Sequence, residues 1–265
     1  MPPRSEVAWI DSVRAYVPGD EHRVEPPDPA RARALLGPLA VSERLHRFEI
    51  RGFEHVPRVG AGLLVGFHPF YPLGTILLMK RVLERDGRVV RGLTDHLVWS
   101  VPGVRDIWAT LGVVDGTRDN ASRLLAAGEL AVCMPGGALE WSRSSRQRRT
   151  LRWGEHRGYA RMAVRAKVPV IPTCCPAADD LFWIANDGWE FGTGAGRRVG
   201  RLLGLNRPLP LPLPVGVGLL AFPVKLVQQV APPEWPLGAD AGDEEARVRE
   251  LDARVRRVML GLLTR

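Results

Sequence analysis

The chain has 265 residues, enough for one large domain with a filled core or for two small ones. Its 45% hydrophobic and 25% charged content is that of a globular protein and excludes a disordered or fibrous chain. The formal charge of +8 is carried almost wholly by arginine, because Lys80, Lys167 and Lys225 are the only lysines, and it favours anionic partners such as phospholipid surfaces or phosphate groups. Cys133, Cys174 and Cys175 have no metal-type spacing and read as buried, reduced thiols. With no basic-then-apolar N-terminus, they predict a cytoplasmic protein.

In chain order, residues 5–17 place Trp9, Ile10, Val13, Tyr16 and Val17 on one helical face. That face suits docking on the body or contact with a membrane interface. Asp28 as N-cap, Pro29 in the first turn and Gly37 at the stop predict a helix over 30–36. An N-terminal helical segment, 1–44, is thus expected to pack on a main domain, 45–265. Loose alternation over 45–50 predicts an edge strand. Residues 59–79 carry no formal charge and are long enough to span a bilayer. Glycines at 60, 62, 66 and 74 and prolines at 69 and 72 interrupt them, so a buried strand (62–67), a loop and a helix (73–85) are expected instead. Strands follow over 88–93 and 130–134, with a helix between them that Thr117 caps and Gly128 stops. A helix over 154–167, a strand over 168–174, a late strand within 215–227 and a terminal helix over 243–263 complete the pattern. This alternation predicts an α/β fold, a mostly parallel central sheet flanked by helices on both faces. Ligands of such sheets lie beyond the strand C-termini.

Four segments carry candidate chemistry. His68 directly follows an apolar strand and precedes a helix, the place for a general base, although a loop hydrogen bond explains it as well. Arg118 opens a capped helix, where free amides, the dipole and its own fork suit a phosphate; a surface arginine is the plainer option. Gly136 and Gly137 follow a buried strand, so their amides can hold an oxyanion or merely make a tight turn, with Glu140 just beyond. Arg143, Arg146, Arg148, Arg149, Arg152 and Arg157 face a single acid within their run, Glu155, and read as a solvated loop or an anionic-headgroup contact.

The order of these segments resembles the glycerolipid acyltransferase superfamily, the lysophospholipid and glycerol-phosphate acyltransferases. It is most similar to the branch containing type-2 diacylglycerol acyltransferases and their transmembrane-protein relatives. The resemblance runs from about Phe48 to Lys225 and rests on five stretches. They are Arg51 to Pro57, His68-Pro69, Gly112 to Arg118, Pro135 to Glu140, and Val168 to Pro172. It implies acceptor-phosphate binding for Arg118. The aspartate usual five or six residues after the histidine is absent, since Leu73 and Gly74 stand there. The diacylglycerol-type branch also lacks it.

These readings converge on an acyltransferase in which His68 activates a lipid hydroxyl for direct attack on an acyl thioester. The amides of Gly136 and Gly137 hold the oxyanion and Arg118 a phosphate. Glu140, or else Asp95, orients His68. No G-x-S-x-G occurs, which argues against a serine nucleophile. Acyl-CoA or acyl carrier protein is the expected co-substrate, with no bound cofactor and no metal. The expected partners are a lipid acceptor and an anionic membrane, touched peripherally from the cytoplasmic side. A rival reading is an inactive lipid-binding or membrane-adaptor relative. No zinc, RNP or basic-zipper pattern supports nucleic-acid binding.

Overall fold

The computed structural model describes residues 26–95, 104–188, 198, 212–217, 220–238, 240 and 242–264. The helix expected over 5–17 and His96, the neighbour of Asp95, lie outside them. Asp28 accepts from the Ala30 amide and opens α1 (Pro29–Leu36). Gly37 does not stop the chain there. It keeps a right-handed conformation and leads through a 3-10 turn into α2 (Ala40–Leu45). Helix therefore claims Leu45, and the first strand, β1, is shorter than expected (Glu49–Arg51).

β2 (Gly62–Gly66), the loop carrying His68, and α3 (Leu73–Asp86) follow as the glycine and proline pattern requires. No helix among the described residues is long and apolar enough to cross a membrane. Next come β3 (Arg91–Thr94), α4 (Val104–Thr110), β4 (Val114–Asp115) and α5 (Arg118–Ala126), whose first turn Thr117 caps through the Asn120 amide. β3 begins later than expected because Arg88 turns aside to donate to the carbonyls of Pro57, Gly60 and Gly128. β5 (Leu130–Cys133) leads into the short α6 (Gly137–Trp141), and α7 (Gly158–Ala166) into β6 (Val170–Cys174). β7 (Trp183–Ile184) and β8 (Pro214–Val215) form a separate two-stranded unit. β9 (Val227–Val230) and α8 (Glu244–Leu263) end the fold.

The main sheet runs β1-β9-β6-β2-β5-β3-β4 and is parallel except where β9 meets β6. Alternation along the central strands sends side chains into two separate cores. Leu63, Val65, Ala131 and Val170 pack with α7 and α8, through Ala160, Ala163, Leu251 and Val255. Leu64, Val132 and Ile171 pack on the other face with Leu78 and Val82 of α3. Helices thus cover both faces, as the buried strands demand. The late strand is the main departure. It lies at 227–230 and shares only Val227 with the expected 215–227, because Val217 bridges to Leu220 and not to a strand of the main sheet. Gln228 and Gln229 disguise β9. Gln228 donates to the Thr173 hydroxyl and Gln229 to the Leu262 carbonyl.

Leu251 is fully buried between α8 and the sheet. Leu251→Ala is expected to cost about 3 kcal/mol of unfolding free energy, read as a lower urea midpoint with an unchanged slope.

Candidate active site

β2, β3, β4, β5 and β6 all run the same way, so the loops after them share one edge of the sheet. His68 follows β2, and the Pro135–Gly137 turn follows β5, its immediate neighbour, with Val65 in register with Cys133. The two segments that the sequence separates by more than sixty residues are therefore adjacent in space.

The His68 ring is partly buried, and its Nδ1 lies 3.0 Å from the carbonyl oxygen of Pro69. A carbonyl only accepts, so Nδ1 carries the proton and Nε2 keeps its lone pair. Burial, together with the nearby Arg143 cation, moves the His68 pKa down to about 4, against the upward pull of the Pro69 hydrogen bond. The imidazole is neutral at pH 7 and has the tautomer of a base.

Glu140 is fully buried and does not touch that ring. Its carboxylate accepts from the main-chain N–H of His68 at 3.0 Å, from the Arg152 amide at 2.9 Å and from the Trp153 indole at 3.3 Å. Glu140 thus fixes the backbone of the histidine and not its tautomer, which corrects the expected contact. Burial raises its pKa to about 7, opposed by the Arg152 amide, the Arg143 charge, and the His68 and Trp153 donors. Arg143, expected in a solvated or lipid-facing run, is buried. It donates to the His68 carbonyl at 3.0 Å and to the Glu140 carbonyl, and grips Asp179 at 2.5 and 2.6 Å. Its guanidinium also covers the Phe67 ring, 4.3 Å from the centroid. Both main-chain groups of His68 are therefore held by buried charged side chains.

The glycines divide the work. A Cβ on Gly136 would stand 2.4 Å from Glu140 Oε2, so this glycine makes room for the folded-back carboxylate. Gly137 has φ +48, and its amide donates to the Met134 carbonyl at 3.1 Å. That amide closes a turn, so in this conformation it is not offered to an oxyanion as the sequence suggested. Asp95 is exposed at the end of β3, two strands or about 10 Å of sheet from β2. Arg118 is exposed at the end of β4, three strands or about 14 Å away, and is not brought to His68.

Leu73 and Gly74, where the resemblance calls for an aspartate, open α3. Gly74 leaves no space for any side chain. An added Cβ would lie 2.5 Å from Gln228 Oε1 and 2.6 Å from Cys175 Cβ. Cys174 and Cys175 are buried and Cys133 is partly so; all are free thiols. Desolvation pushes Cys133 and Cys175 up to about 12 and Cys174 well above the usual thiol range.

Sequence reasoning missed Arg143, Trp153 and Asp179 as parts of this site. Trp153 extends it inward by stacking edge-on against Tyr159 at 5.4 Å, whose hydroxyl donates to Asp252 of α8 at 2.7 Å. An isolated tryptophan inside an arginine-rich loop was the one available signal. The rest of the arginine run is also largely paired. Arg148 and Arg149 bind Asp180, Arg152 binds Asp187, and Arg157 binds Glu155 and Asp252. Apart from Glu155 the acids come from later segments, so the run looked almost unopposed in the sequence.

A doubly covered sheet with a partly buried imidazole at its strand ends defines an α/β protein with a candidate active site, and comparison with known proteins says what it is similar to. Residues 47–176, just under half of the chain, match the model of the acyltransferase family. A human protein described as a "DGAT1/2-independent enzyme synthesizing storage lipids" is 32% identical over 127 residues, 48% of this chain and 39% of the relative. Its Gallus gallus counterpart is 35% identical over 127 residues, 48% of this chain and 38% of its own length. The match thus spans well under half of these relatives. An uncharacterized Mycobacterium tuberculosis protein is 28% identical over 165 residues, 60% of this chain and 46% of that protein. In fold, the chain is similar to the 1-acyl-sn-glycerophosphate acyltransferase PlsC of Thermotoga maritima. The TM-score is 0.55 at 17% identity, covering 98% of this chain and 90% of that one.

Two outcomes follow for the site. Gly74→Asp, which restores the family's carboxylate, forces Cys175 and Gln228 apart and is expected to lower Tm by roughly 4–8 °C in calorimetry. In histidine-labelled protein, long-range 1H–15N NMR is expected to show His68 as the Nδ1–H tautomer titrating near pH 4. Arg143→Gln removes a repelling cation, so that midpoint should rise. A wild-type midpoint near 6.5 would contradict the burial described here.

Proposed function

We propose that the protein transfers a fatty acyl group from a thioester, acyl-CoA or acyl carrier protein, to the hydroxyl of a glycerolipid or lysophospholipid, with His68 as general base. The observation that carries this reading is the Nδ1–H···O=C bond to Pro69, inside the segment that matches the acyltransferase family. It leaves Nε2 as the proton acceptor at the strand edge where α/β ligands bind. Nε2 takes the acceptor's hydroxyl proton as that oxygen attacks the thioester carbonyl. The tetrahedral oxyanion forms beside the Gly136 turn. Its collapse breaks the carbon–sulfur bond, and the leaving thiolate takes the proton back from the imidazolium. No step requires a bound cofactor.

Two features support a lipid substrate. A shallow cleft beside the His68 loop has Phe70, Trp141 and Phe182 in its walls, together with Arg143, Arg148 and Asp179. A narrow apolar crevice lies along α3, lined by Ile76 in its first turn, then Met79, and Leu83 near its far end. The storage-lipid relatives support a glycerolipid acceptor.

Purified protein given acyl-CoA and a diacylglycerol or lysophospholipid is expected to release free thiol. His68→Ala should slow that release by about 10²- to 10⁴-fold without loss of folded protein. Equal turnover in the variant would remove His68 from the role. Lipid binding with no thiol release from wild type would instead favour a binding protein.

A further inference from the structure

The β7–β8 unit presents an apolar face that the rest of the described structure does not cover. Leu213, Val215 and Val217 recur at every second residue, so they project to one side. Trp183 is the cross-strand partner of Val215, and Leu220 pairs with Val217. These five side chains are between 47% and 71% exposed, unlike the scattered single apolar residues of an ordinary surface. On the other side of the unit Ile184 is buried and the Cβ position of Gly216 lies 3.1 Å from the Phe182 ring, while Pro214 is exposed.

Two further observations select the occupant. The first is charge. The Ile184 amide donates to Ser145 Oγ at 2.7 Å, which seats the Ser145–Gln147 turn, with exposed Arg146, against β7. No acid of the described residues pairs with Arg146, and Arg148 and Arg149 share the single carboxylate of Asp180. The rim of the apolar face therefore carries excess positive charge, on a chain of net charge +8. The second is continuity with the site. Phe182, adjacent to Trp183, contacts Phe70 at 5.6 Å and Tyr71 at 6.4 Å between centroids, and these residues follow His68 by two and three positions.

We infer that the face formed by Trp183, Leu213, Val215, Val217 and Leu220, with its arginine rim, docks on an anionic lipid bilayer and sets the cleft beside the His68 loop at the membrane surface. Apolar side chains enter the headgroup–acyl boundary while arginines meet lipid phosphates. The inference rests on the acyltransferase reading only for its purpose, delivery of a membrane-borne acceptor. The docking itself is independent of catalysis.

The test uses the whole chain and vesicles of phosphatidylcholine with 30% phosphatidylglycerol, against pure phosphatidylcholine. Wild type should sediment with the anionic vesicles more than with neutral ones. The double variant V217E/L220E is expected to weaken partitioning by about tenfold or more. Arg146→Gln should weaken it about fivefold, the weight of one basic residue at such a surface. Lipid brominated along its chains should quench wild-type tryptophan emission more than that of Trp183→Phe. Turnover of a water-soluble short-chain acceptor should stay unchanged in V217E/L220E while turnover of a vesicle-borne acceptor falls. Vesicle binding that depends on this face, in a protein without thiol release, would defeat the catalytic reading and leave the docking intact. Unchanged partitioning in both variants would overturn the docking. So would variants that alter only self-association in sedimentation, because a second copy would then be the occupant.

Discussion

A carboxylate with no access to water is the constraint around which this site is built. Burying an unpaired charge costs several kcal/mol, so Glu140 is tolerable only while donors surround it. Three donors from two places in the chain do so: the His68 main chain, and the Arg152 main chain with the adjoining Trp153 indole. Each donor fixes something else. The His68 amide pins the loop after β2, and the Arg152 amide closes the long connection after α6. The Trp153 ring passes the arrangement on through Tyr159 to Asp252 of the terminal helix. Gly136 is a glycine because the same carboxylate occupies the place of its Cβ. The glycine pair that first suggested a ligand is thus half explained by a side chain four residues on.

Arg143 completes the frame from the opposite side. It supplies a cation near Glu140 and holds the carbonyl of the same histidine whose amide Glu140 holds. Asp179, after β6, neutralises it. Loops after three adjacent strands, β5, β2 and β6, are therefore tied together at His68. A flexible surface loop could not hold a ring to a fraction of an ångström, whereas a frame of this kind can.

Much of the fold was legible because its central strands are buried on both sides. Continuous apolar runs such as Leu63–Val65, followed by glycine and proline, have few alternatives to a parallel strand and its loop. The caps at Asp28 and Thr117 were equally plain, since a short side chain reaching back to an amide leaves a local signature. β9 was not legible. Its glutamines are polar in sequence yet buried, and only tertiary partners, Thr173 and the end of α8, make that acceptable. At the site, His68 and Glu140 were visible as residues, but their relation was not. The sequence suggested a ring–carboxylate pair, whereas the structure shows a main-chain contact. Arg143 was hidden for a similar reason. An ion pair across thirty-six residues has no spacing rule, and five neighbouring arginines in the run masked the one that is buried.

The acceptor that sets the His68 tautomer belongs to the next residue in the chain, and to its backbone. Such a partner is covalently tethered and present in whatever amino acid follows the histidine, so no side-chain replacement can delete it. An alanine scan for a second dyad member would return none, however strongly the imidazole depends on its hydrogen bond. Evolution could then release the aspartate position to other uses, here the close seating of a helix start on Cys175, without leaving the ring free to swivel.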